Sequence, residues 1–447
     1  MIIMKFGGSS VADADRIKHV AEIIKLFVDK KPLVVTSAMG KTTDKLLHAV
    51  EQALVGNISI DEIKESHYAA AEKLNVDKSC IEPLLEELCR LLSGVSLIKE
   101  LSLRTRDYLV SFGERLAVRI IAAYLSQTGI KAKAFDAWDI GFTSNSNFTD
   151  SEILDETYHR INDCLGNLGS DYAYTPLITG FIAKDVNGNI TTLGRGGSDL
   201  TASVLGAALN VDEIQVWKDV DGILTTDPRI VSSAKPVKNV SFEEASELAY
   251  FGAKVLHPRS ILPAMAKNIP VRVKNSYNPD HEGTLILSHI ENDSELLRVL
   301  TFKKHVTLVD IVSTRMLGQY GFLAKVFQIF DEQEVSVDML ATSEVSISVT
   351  LDSKVRDMDS LRAELEKVAR VTIKNQKTIV TMIGNVGHSS EIMAKTFEVL
   401  KQNAINVQMI SQGASKVNIS FIVDDSEAEK CIKALHKAFF ENSQADF

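Results

Sequence analysis

Short apolar runs alternate with amphipathic stretches through roughly the first 280 residues of the chain. The runs end abruptly at glycine, hydroxyl or charged residues, which is typical of buried strands. The stretches between them carry apolar residues at helical spacing, first from about Ala12 to Phe27. The clearest runs are Met1–Met4, Pro32–Ser37, Thr175–Gly180, Ile214–Trp217 and Pro270–Lys274. This alternation predicts an α/β fold, an open, mainly parallel sheet with helices on both faces.

Local signals refine this pattern at three places. The turn Asp185–Asn189 between two short apolar segments predicts a β-hairpin. A helix is expected over Leu200–Leu209. Ser241 and Glu244 have the spacing of a capping box, which predicts a helix running toward Leu256 and ending at Pro258.

The remainder of the chain has a different composition and an internal repeat. All nine prolines and both tryptophans lie at or before Pro279. Ala324-Lys-x-Phe327 recurs 70 residues later as Ala394-Lys-x-Phe397, and period-2 strand patterns follow both copies. Two tandem βαββ modules of the ferredoxin-like α+β type are the natural interpretation. We therefore divide the chain into a first domain 1–290, a linker 291–305, and modules 306–375 and 376–447.

Composition excludes several classes of function. The net charge is −10, so nothing recommends nucleic acid as a partner. No apolar run reaches the ~18 residues that a membrane helix needs, and no signal-peptide pattern precedes the first strand. The four cysteines are scattered without metal-like spacing, and free thiols in a reducing compartment are the simplest explanation. We expect a cytoplasmic protein without a membrane partner or a protein-held metal.

The first chemical candidate is Lys5-Phe-Gly-Gly-Ser-Ser10, where an apolar run ends in a lysine and paired glycines before a helix. Glycines let backbone N–H groups approach a ligand, and a helix N-terminus favours negative charge. A phosphate site fits this pattern, although an ordinary strand-to-helix turn with a solvated lysine fits it equally well. Met39-Gly-Lys-Thr-Thr43 is not a P-loop, because the first glycine of that motif would have to replace Val35.

A second candidate is Gly194-Arg-Gly-Gly-Ser-Asp199, which opens a predicted helix. It is not a dinucleotide fingerprint, because Asp199 stands where the last glycine would be. Exposed N–H groups, an arginine and a carboxylate suit a small zwitterion. The alternative is that Ser198 or Asp199 only caps the helix and Arg195 is a surface residue.

Further candidates are single residues with two interpretations each. The loop from Lys218 and Asp219 follows a strand directly, where α/β sheets bind ligands, but it could be a solvated turn. Glu114 lies in an apolar helix and needs a cationic partner, either a ligand ammonium or an internal lysine or arginine. Lys254 could contact phosphate or stabilise a helix end. His257 is interpreted as structural. Together these groups favour phosphoryl transfer, which needs positioning and positive charge rather than a strong nucleophile.

Five segments in order resemble the aspartate kinase family, and the resemblance covers nearly the whole chain. They are Ile3–Val11, Thr192–Asp199, Trp217–Gly222, Thr226–Arg229 and Phe251–Pro258. The resemblance implies the amino-acid-kinase fold followed by two ACT modules. It also implies phosphorylation of the β-carboxylate of L-aspartate by ATP, with Mg²⁺ held mainly by the nucleotide phosphates.

The resemblance also assigns roles to individual residues. The expected catalytic residues are Lys5, Gly8 and Asp199, and the expected nucleotide-binding residues are Lys5, Gly7, Gly8, Ser9, Lys218, Asp219, Leu224, Arg229 and Lys254. Leu224 departs from the tyrosine that some bacterial relatives have there. The expected aspartate-binding residues are Thr43, Glu114, Arg195, Gly196, Gly197, Ser198 and Asp199, with Arg195 on the α-carboxylate and Glu114 on the ammonium side.

In the first ACT module the resemblance implies a site for lysine as feedback inhibitor. Its expected residues are Met316, Gln319, Gly321, Phe322, Leu323, Ser336, Val337, Asp338, Thr342, Ser343 and Glu344. The second module has Glu391 opposite Gly321 and Ala414 opposite Glu344, so we expect a structural copy. Short βαββ modules pair edge to edge, which predicts a homodimer or homotetramer through the ACT modules. The alternatives are another amino-acid kinase, acting on glutamate, acetylglutamate or UMP, and a non-catalytic ACT-based sensor.

Overall fold

The computed structural model describes residues 1–166, 172–251, 256–290, 295–313, 320–352, 357–413 and 415–441. The chain divides into two compact units, which are described separately. The first contains Met1–Ile223, Lys238–Ser246 and Val255–Ile290, and the second contains Leu224–Val237, Glu247–Lys254 and Glu291–Phe447.

The first unit is built on one large sheet and one small sheet. Its strands are β1 (Ile2–Phe6), β2 (Pro32–Thr36), β3 (Ala132–Phe135), β4 (Thr143–Ser144), β5 (Thr175–Thr179), β6 (Ile182–Asp185), β7 (Ile190–Thr192), β8 (Glu213–Lys218), β9 (Asn239–Ser241), β10 (Val271–Asn275) and β11 (Thr284–Leu287). The large sheet has the order β3-β5-β2-β1-β8-β10-β11-β9, and the small sheet the order β4-β6-β7. The six strands from β3 to β10 are mutually parallel, and β11 runs antiparallel to β10. The prediction of a mainly parallel sheet is confirmed.

Helices cover both faces of the large sheet. They are α1 (Ala14–Leu26), α2 (Thr42–Leu54), α3 (Asp61–Lys73), α4 (Glu82–Ile98), α5 (Leu103–Gln127), α6 (Glu156–Leu165), α7 (Gly197–Leu209), α8 (Phe242–Tyr250, divided between the units) and α9 (Pro258–Ala266). On β1, Ile2, Met4 and Phe6 pack into the core formed with α1 to α5. Because side chains alternate along a strand, Lys5 points to the opposite face, where it contacts α7.

Of the three local predictions, the hairpin and the helix over Leu200–Leu209, which lies within α7, are confirmed, and the helix after the capping box is partly wrong. The hairpin β6–β7 pairs antiparallel around the predicted turn. The capping box forms, with Ser241 Oγ accepting from the Glu244 N–H at 3.0 Å and Glu244 Oε2 accepting from the Ser241 N–H at 2.7 Å. However, α8 ends at Tyr250, and Pro258 begins α9 instead of ending a helix. Proline suits the first helical position because its missing N–H would have no intrahelical acceptor there.

The second unit contains one six-stranded antiparallel sheet with the order β13-β14-β12-β15-β17-β16. Its strands are β12 (Leu297–Val312), β13 (Val337–Thr342), β14 (Ser346–Leu351), β15 (Arg370–Gly384), β16 (Met409–Gln412) and β17 (Asn418–Asp424). Its helices are α10 (Phe322–Glu332), α11 (Met358–Glu366), α12 (Ser389–Gln402) and α13 (Asp425–His436). The repeated Ala-Lys-x-Phe sequences lie in α10 and α12, as two equivalent modules require.

The two long central strands belong to both modules. The first half of β12 pairs with the second half of β15, and the second half of β12 with the first half of β15. The register shifts between Lys303 and Val306 of β12, and His305 and Gln376 have φ values of 62° and 57°. Each module therefore has the four-stranded ferredoxin-like order, β13-β14-β12-β15 or β16-β17-β15-β12.

This arrangement corrects the predicted linker. Residues 297–305 form most of the first half of β12, which is the fourth strand of the second module. Leu297 and Leu300 are buried in that module's core. Without this strand, the second half of β15 would present an unpaired edge. Residues 291–294 lie outside the described residues.

Candidate active site

A cleft of about 290 Å³ lies at the carboxyl end of the parallel strands in the first unit. Lys5 belongs to β1, while Ser37 and Phe181 follow β2 and β5 closely. Ligands bind at this edge of open α/β sheets because the loops after neighbouring strands converge there. The lining residues are Lys5, Ser37, Thr43, Glu114, Phe181, Gly194, Gly196, Gly197, Ser198 and Asp199.

A buried carboxylate between two lysines forms one wall of the cleft. Lys5 Nζ lies 2.5 Å from Asp199 Oδ1, and Lys218 Nζ lies 3.5 Å from Asp199 Oδ2. The lysines converge because β1 and β8 are neighbours, and Lys218 ends its strand just beyond the residue paired with Phe6. Asp199 lies in the first turn of α7, where the helix dipole favours negative charge.

The ionisation of this cluster follows from burial and mutual attraction. Burial opposes ionisation of Asp199, but Lys5 and then Lys218 outweigh it, so the pKa of Asp199 is below its usual value. Burial lowers the pKa of Lys218, and the charge of Asp199 offsets part of that change. By formal charge, two lysine ammonium groups and one carboxylate give the cluster one net positive charge toward an anionic ligand.

The glycine turn after β1 lies against the loop after β2. A side chain at Gly8 would place its Cβ 2.8 Å from the Ala38 carbonyl oxygen, which backbone packing cannot relieve. A Cβ at Gly7 would lie 3.9 Å from Lys5 Nζ, so this glycine is next to the ammonium. The absence of side chains lets a phosphoryl group approach both the backbone and the Lys5 ammonium. This turn therefore fits the phosphates of ATP. The alternative of an ordinary turn with a solvated lysine is wrong, because Lys5 is buried.

Glu114 reaches the cleft from the middle of α5. Its Oε1 accepts a hydrogen bond from the Ala38 N–H at 3.1 Å, while its buried Oε2 has no partner among the described residues. Burial raises the pKa of Glu114 to about 8, against the opposing influence of the Ala38 N–H and Lys5. No lysine or arginine forms an ion pair with Glu114 in the described part of the chain. Its unsatisfied oxygen therefore remains available to a ligand cation.

The glycine-rich loop before α7 also lines the cleft. Gly194 and Gly196 have φ values of 69° and 76°, and Gly196 is the N-cap of α7. The alternative that Ser198 or Asp199 caps this helix is therefore wrong. Ser198 instead accepts a hydrogen bond from Ser37 Oγ at 3.0 Å. Arg195 is exposed and its side chain does not line the cleft.

Other predicted residues lie in different places. Thr43 lines the cleft, and Ser9 and Asp219 are exposed. In the second unit, Leu224 is half-buried and bridges to Pro236, and Arg229 is 88% exposed and paired with Asp227 at 2.6 Å. Lys254 lies outside the described residues. His257 precedes α9, and its side chain packs on Gly196.

Ser37 and Phe181 line the cleft but were not predicted from the sequence. Ser37 could have been predicted as a site residue, since it follows an apolar strand just as the Gly7-Gly8 turn follows β1. Phe181 has φ +71° and carries no sequence signal, because an aromatic residue after a strand is usually interpreted as core.

The predicted effector residues lie in the first ACT-like module of the second unit. Gly321 is the N-cap of α10 with φ +83°, and Phe322 and Leu323 begin that helix. Ser336 precedes β13, which contains Val337, Asp338 and Thr342, and Ser343 and Glu344 follow it. Met316 and Gln319 lie outside the described residues.

Asp338 already has two internal partners. Lys303 Nζ lies 2.6 Å from its Oδ2, and the Tyr250 hydroxyl donates to its Oδ1 at 2.9 Å. Burial and the nearby Asp338 raise the pKa of Tyr250 to about 12, so this phenol remains a donor.

The described ranges also bear on metal binding and on membranes. No group of three or more His, Cys, Asp or Glu side chains there could hold a metal ion. Nor does any helix in those ranges have the length and apolar character needed to cross a bilayer.

Comparison with known proteins identifies the family. The model of the amino acid kinase family matches residues 1–275, and an ACT domain model matches residues 309–357 and 380–439. Aspartokinase 1, chloroplastic, of Arabidopsis thaliana is 54% identical over 98% of this chain and 80% of its own length. Escherichia coli aspartokinase III in complex with aspartate and ADP (R-state) has 35% identity and a TM-score of 0.79, covering 99% of this chain and all of that one. The same enzyme with lysine and aspartate (T-state) has a TM-score of 0.81 at 35% identity and the same coverage.

These matches agree with the parallel sheet, the cleft at its carboxyl edge and the paired modules. The chain belongs to the amino acid kinase family, and within that family to the aspartokinases.

Proposed function

We propose that this protein transfers the γ-phosphoryl group of ATP to the β-carboxylate of L-aspartate, giving 4-phospho-L-aspartate. This reaction is the first step toward lysine, threonine and methionine. The observation that carries the proposal is the Lys5–Asp199–Lys218 cluster, which lies in the same cleft as the unsatisfied carboxyl of Glu114. The cluster suits a transferring phosphate, and the Glu114 carboxyl suits the ammonium of an amino acid. The related Escherichia coli enzyme was solved with aspartate and ADP.

Glu114 and the loop before α7 would hold the acceptor. The free Oε2 of Glu114 pairs with the ammonium of aspartate, since a buried carboxyl needs a cationic partner to ionise. Thr43, Gly196, Gly197 and Ser198 supply polar contacts around the rest of the molecule. Arg195 binds the α-carboxylate after its exposed guanidinium turns inward.

The reaction brings together two anions, so charge compensation is the main requirement. A carboxylate is already a competent nucleophile, and no general base is needed. Lys5 is the group that neutralises the transferring phosphoryl, and Asp199 keeps its ammonium at the end of β1. The Gly7-Gly8 turn allows the close approach that in-line attack requires.

The nucleotide residues remain assigned by family resemblance. Lys218 ends β8 and Asp219 follows it, and Ser9, Leu224, Arg229 and Lys254 complete the set. Mg²⁺ would be held mainly by the phosphates of the nucleotide. Its chemistry there is to neutralise phosphate charge.

Lysine is the proposed feedback inhibitor, bound at the first ACT module. The Escherichia coli relative was solved with lysine, and the residues around Gly321 and Asp338 are those that family resemblance assigns to the effector. A homodimer or homotetramer would form through the modules, in which β13 and β16 are the terminal strands of the described sheet, each hydrogen-bonded to a strand on one side. The cytoplasmic location stays a prediction, and the Arabidopsis relative is named chloroplastic.

The test is ADP formation by the purified protein with ATP, Mg²⁺ and one acceptor at a time. Turnover with aspartate, and much less with glutamate, acetylglutamate or UMP, is expected. If another acceptor were preferred, aspartate would be the wrong substrate and that acceptor would take its place. Absence of turnover with all four acceptors would support the alternative of a non-catalytic sensor. Adding lysine, threonine or S-adenosylmethionine then identifies the inhibitor, and inhibition by threonine alone would contradict the lysine proposal.

A further inference from the structure

Asp107 is a buried carboxylate of the first unit that lines neither wall of the cleft. It lies on α5, is 1% exposed, and precedes Glu114 by seven residues. Seven residues are two helical turns, about 10 Å along the axis and nearly the same face. The rigid helix that carries Glu114 therefore also presents Asp107 on the same side.

Asp107 holds two segments of the chain through three hydrogen bonds. Its Oδ2 accepts from the Thr149 N–H at 2.8 Å and from the Thr192 N–H at 2.9 Å. Its Oδ1 accepts from the Thr192 hydroxyl at 2.9 Å. Burial raises the pKa of Asp107 even though these donors favour the ionised form. Burial of a carboxylate is unfavourable unless hydrogen bonds compensate for its lost hydration, and these three donors provide that compensation.

Thr192 is fixed on its other side as well. Its carbonyl oxygen accepts from the N–H and the hydroxyl of Ser151, both at 2.9 Å. Arg259 then holds Ser151 through its carbonyl at 2.7 Å and Asp150 through its carboxylate at 2.7 Å. Both backbone groups of Thr192 are thus occupied, which leaves this residue no freedom to rotate.

The residues after Thr192 form the loop that lines the cleft and is proposed to hold the amino-acid acceptor. The Leu193 N–H donates to the Phe181 carbonyl at 2.9 Å, and Gly194 begins the loop that leads into α7. Asp150 lies directly against Gly194, since a Cβ built on this glycine would clash with Asp150 Oδ1. Thr149 has φ +76°, a conformation that a threonine adopts only when its surroundings compensate for the strain. The Asp107 carboxylate supplies part of that compensation.

We propose that Asp107 is a positioning residue for the amino-acid acceptor, because it fixes the start of the Gly194–Gly197 loop relative to Glu114 on the same helix. It touches no reacting atom. It sets the distance between Glu114, which binds the ammonium, and the Gly194–Gly197 loop, which binds the rest of the acceptor. This inference rests on the proposed aspartate kinase activity.

The test compares the KM for aspartate, the KM for ATP and kcat in a graded set of variants of the full chain. Asp107→Ala removes both acceptor oxygens, and with them all three hydrogen bonds, and should raise the KM for aspartate about 10- to 100-fold, the range expected for unsatisfied buried donors. The KM for ATP should change less than about threefold. Asp107→Asn should recover most of the affinity, since its oxygen can still accept from both N–H groups while its amide donates to Thr192 Oγ1. Thr192→Val removes one bond only and should have a small effect in the same direction.

Asp185 provides a matched control. It is also buried, and it accepts from the Asn187 and Asn189 N–H groups at 2.9 and 2.8 Å, but in the hairpin turn rather than beside the loop. Asp185→Ala should leave the KM for aspartate within about twofold of the wild type. An equal rise in both alanine variants, or an unchanged KM in Asp107→Ala, would overturn the role of Asp107. If Asp107→Ala does not fold, the same comparison rests on Thr192→Val, which lacks the hydroxyl bonded to Asp107 Oδ1, and an unchanged KM for aspartate in that variant would overturn the role of Asp107. A wild type without aspartate-dependent ADP formation would instead overturn the proposed function, and this inference with it.

Discussion

Glu114 makes the affinity for aspartate depend on pH in a direction that its environment determines. Burial raises its pKa to about 8, so the free protein holds this carboxyl mostly protonated at neutral pH. Pairing with an ammonium requires the ionised form. Binding of aspartate must therefore release a proton, and it becomes stronger as the pH rises toward 8.

The magnitude follows from the ionised fraction. With a pKa of about 8, roughly 1% of Glu114 is ionised at pH 6, roughly 9% at pH 7 and half at pH 8. The apparent KM for aspartate should then fall nearly tenfold per pH unit below pH 7, and on the order of 50-fold from pH 6 to pH 8. The KM for ATP should not follow this trend, because Glu114 contacts only the acceptor in this proposal.

The assay is steady-state ADP release at saturating ATP and varied aspartate across pH 6 to 8, with calorimetry in buffers of different ionisation enthalpy to count released protons. Glu114→Gln is the companion variant and should bind aspartate weakly without a pH slope. A pH-independent KM in the wild type, or the same slope in Glu114→Gln, would refute the assignment of the ammonium to Glu114.

The same carboxyl has a consequence for stability. A carboxyl whose folded-state pKa exceeds its ordinary value stabilises the fold fully only below pH 4.5, and that stability is lost as the pH rises to about 8. The loss is about 1.4 kcal/mol per pH unit within that window. Glu114→Gln should therefore unfold at higher denaturant concentration than the wild type at pH 8. No difference between the two proteins at pH 8 would contradict the raised pKa.

Three further predictions concern other residues. Lys5→Met should lower kcat by roughly 1,000-fold or more while lysine binding measured by calorimetry persists, and surviving turnover would remove Lys5 from the transfer step. Lys303→Met should lower the lysine concentration for half-inhibition by roughly tenfold, because the Asp338 carboxylate would lose its internal ammonium; unchanged inhibition would show that the effector ammonium binds elsewhere. His67 is buried with its pKa lowered to about 4, so stability should fall as the pH drops from 6.5 to 4; His67→Gln should lose that slope in urea titrations, and an unaltered slope would assign it to other groups.

The sequence was sufficient for the parallel sheet, the hairpin and the paired modules because each rests on local periodicity. The carboxyl edge of a parallel sheet also gathers Lys5, Thr43 and Asp199, so strand ends were good guides to part of the cleft. The exposure of Arg195 could not be predicted in this way. Its orientation depends on left-handed glycines on both sides, and sequence shows only that such conformations are allowed.

Long-range pairing was the least predictable feature. Residues 297–305 follow the polar segment Glu291–Glu295, and no strand that could pair with them lies nearby in the sequence, so they were interpreted as part of a linker. Their true partner is the second half of β15, about 80 residues away. Asp107 was missed for a related reason, because the donors that satisfy it are contributed by Thr149 and Thr192, which are distant in the chain.

The exchange of halves between β12 and β15 makes the two modules inseparable. A protein cut after the first module would leave the second without its fourth strand, and a protein starting at residue 306 would have the same defect. Neither module can be removed or replaced alone without rebuilding the other, because each contributes part of a long strand to the other's sheet. In hydrogen exchange, the amides of 297–303 should open together with those of 379–384, far away in sequence, rather than with the neighbouring residues 306–312.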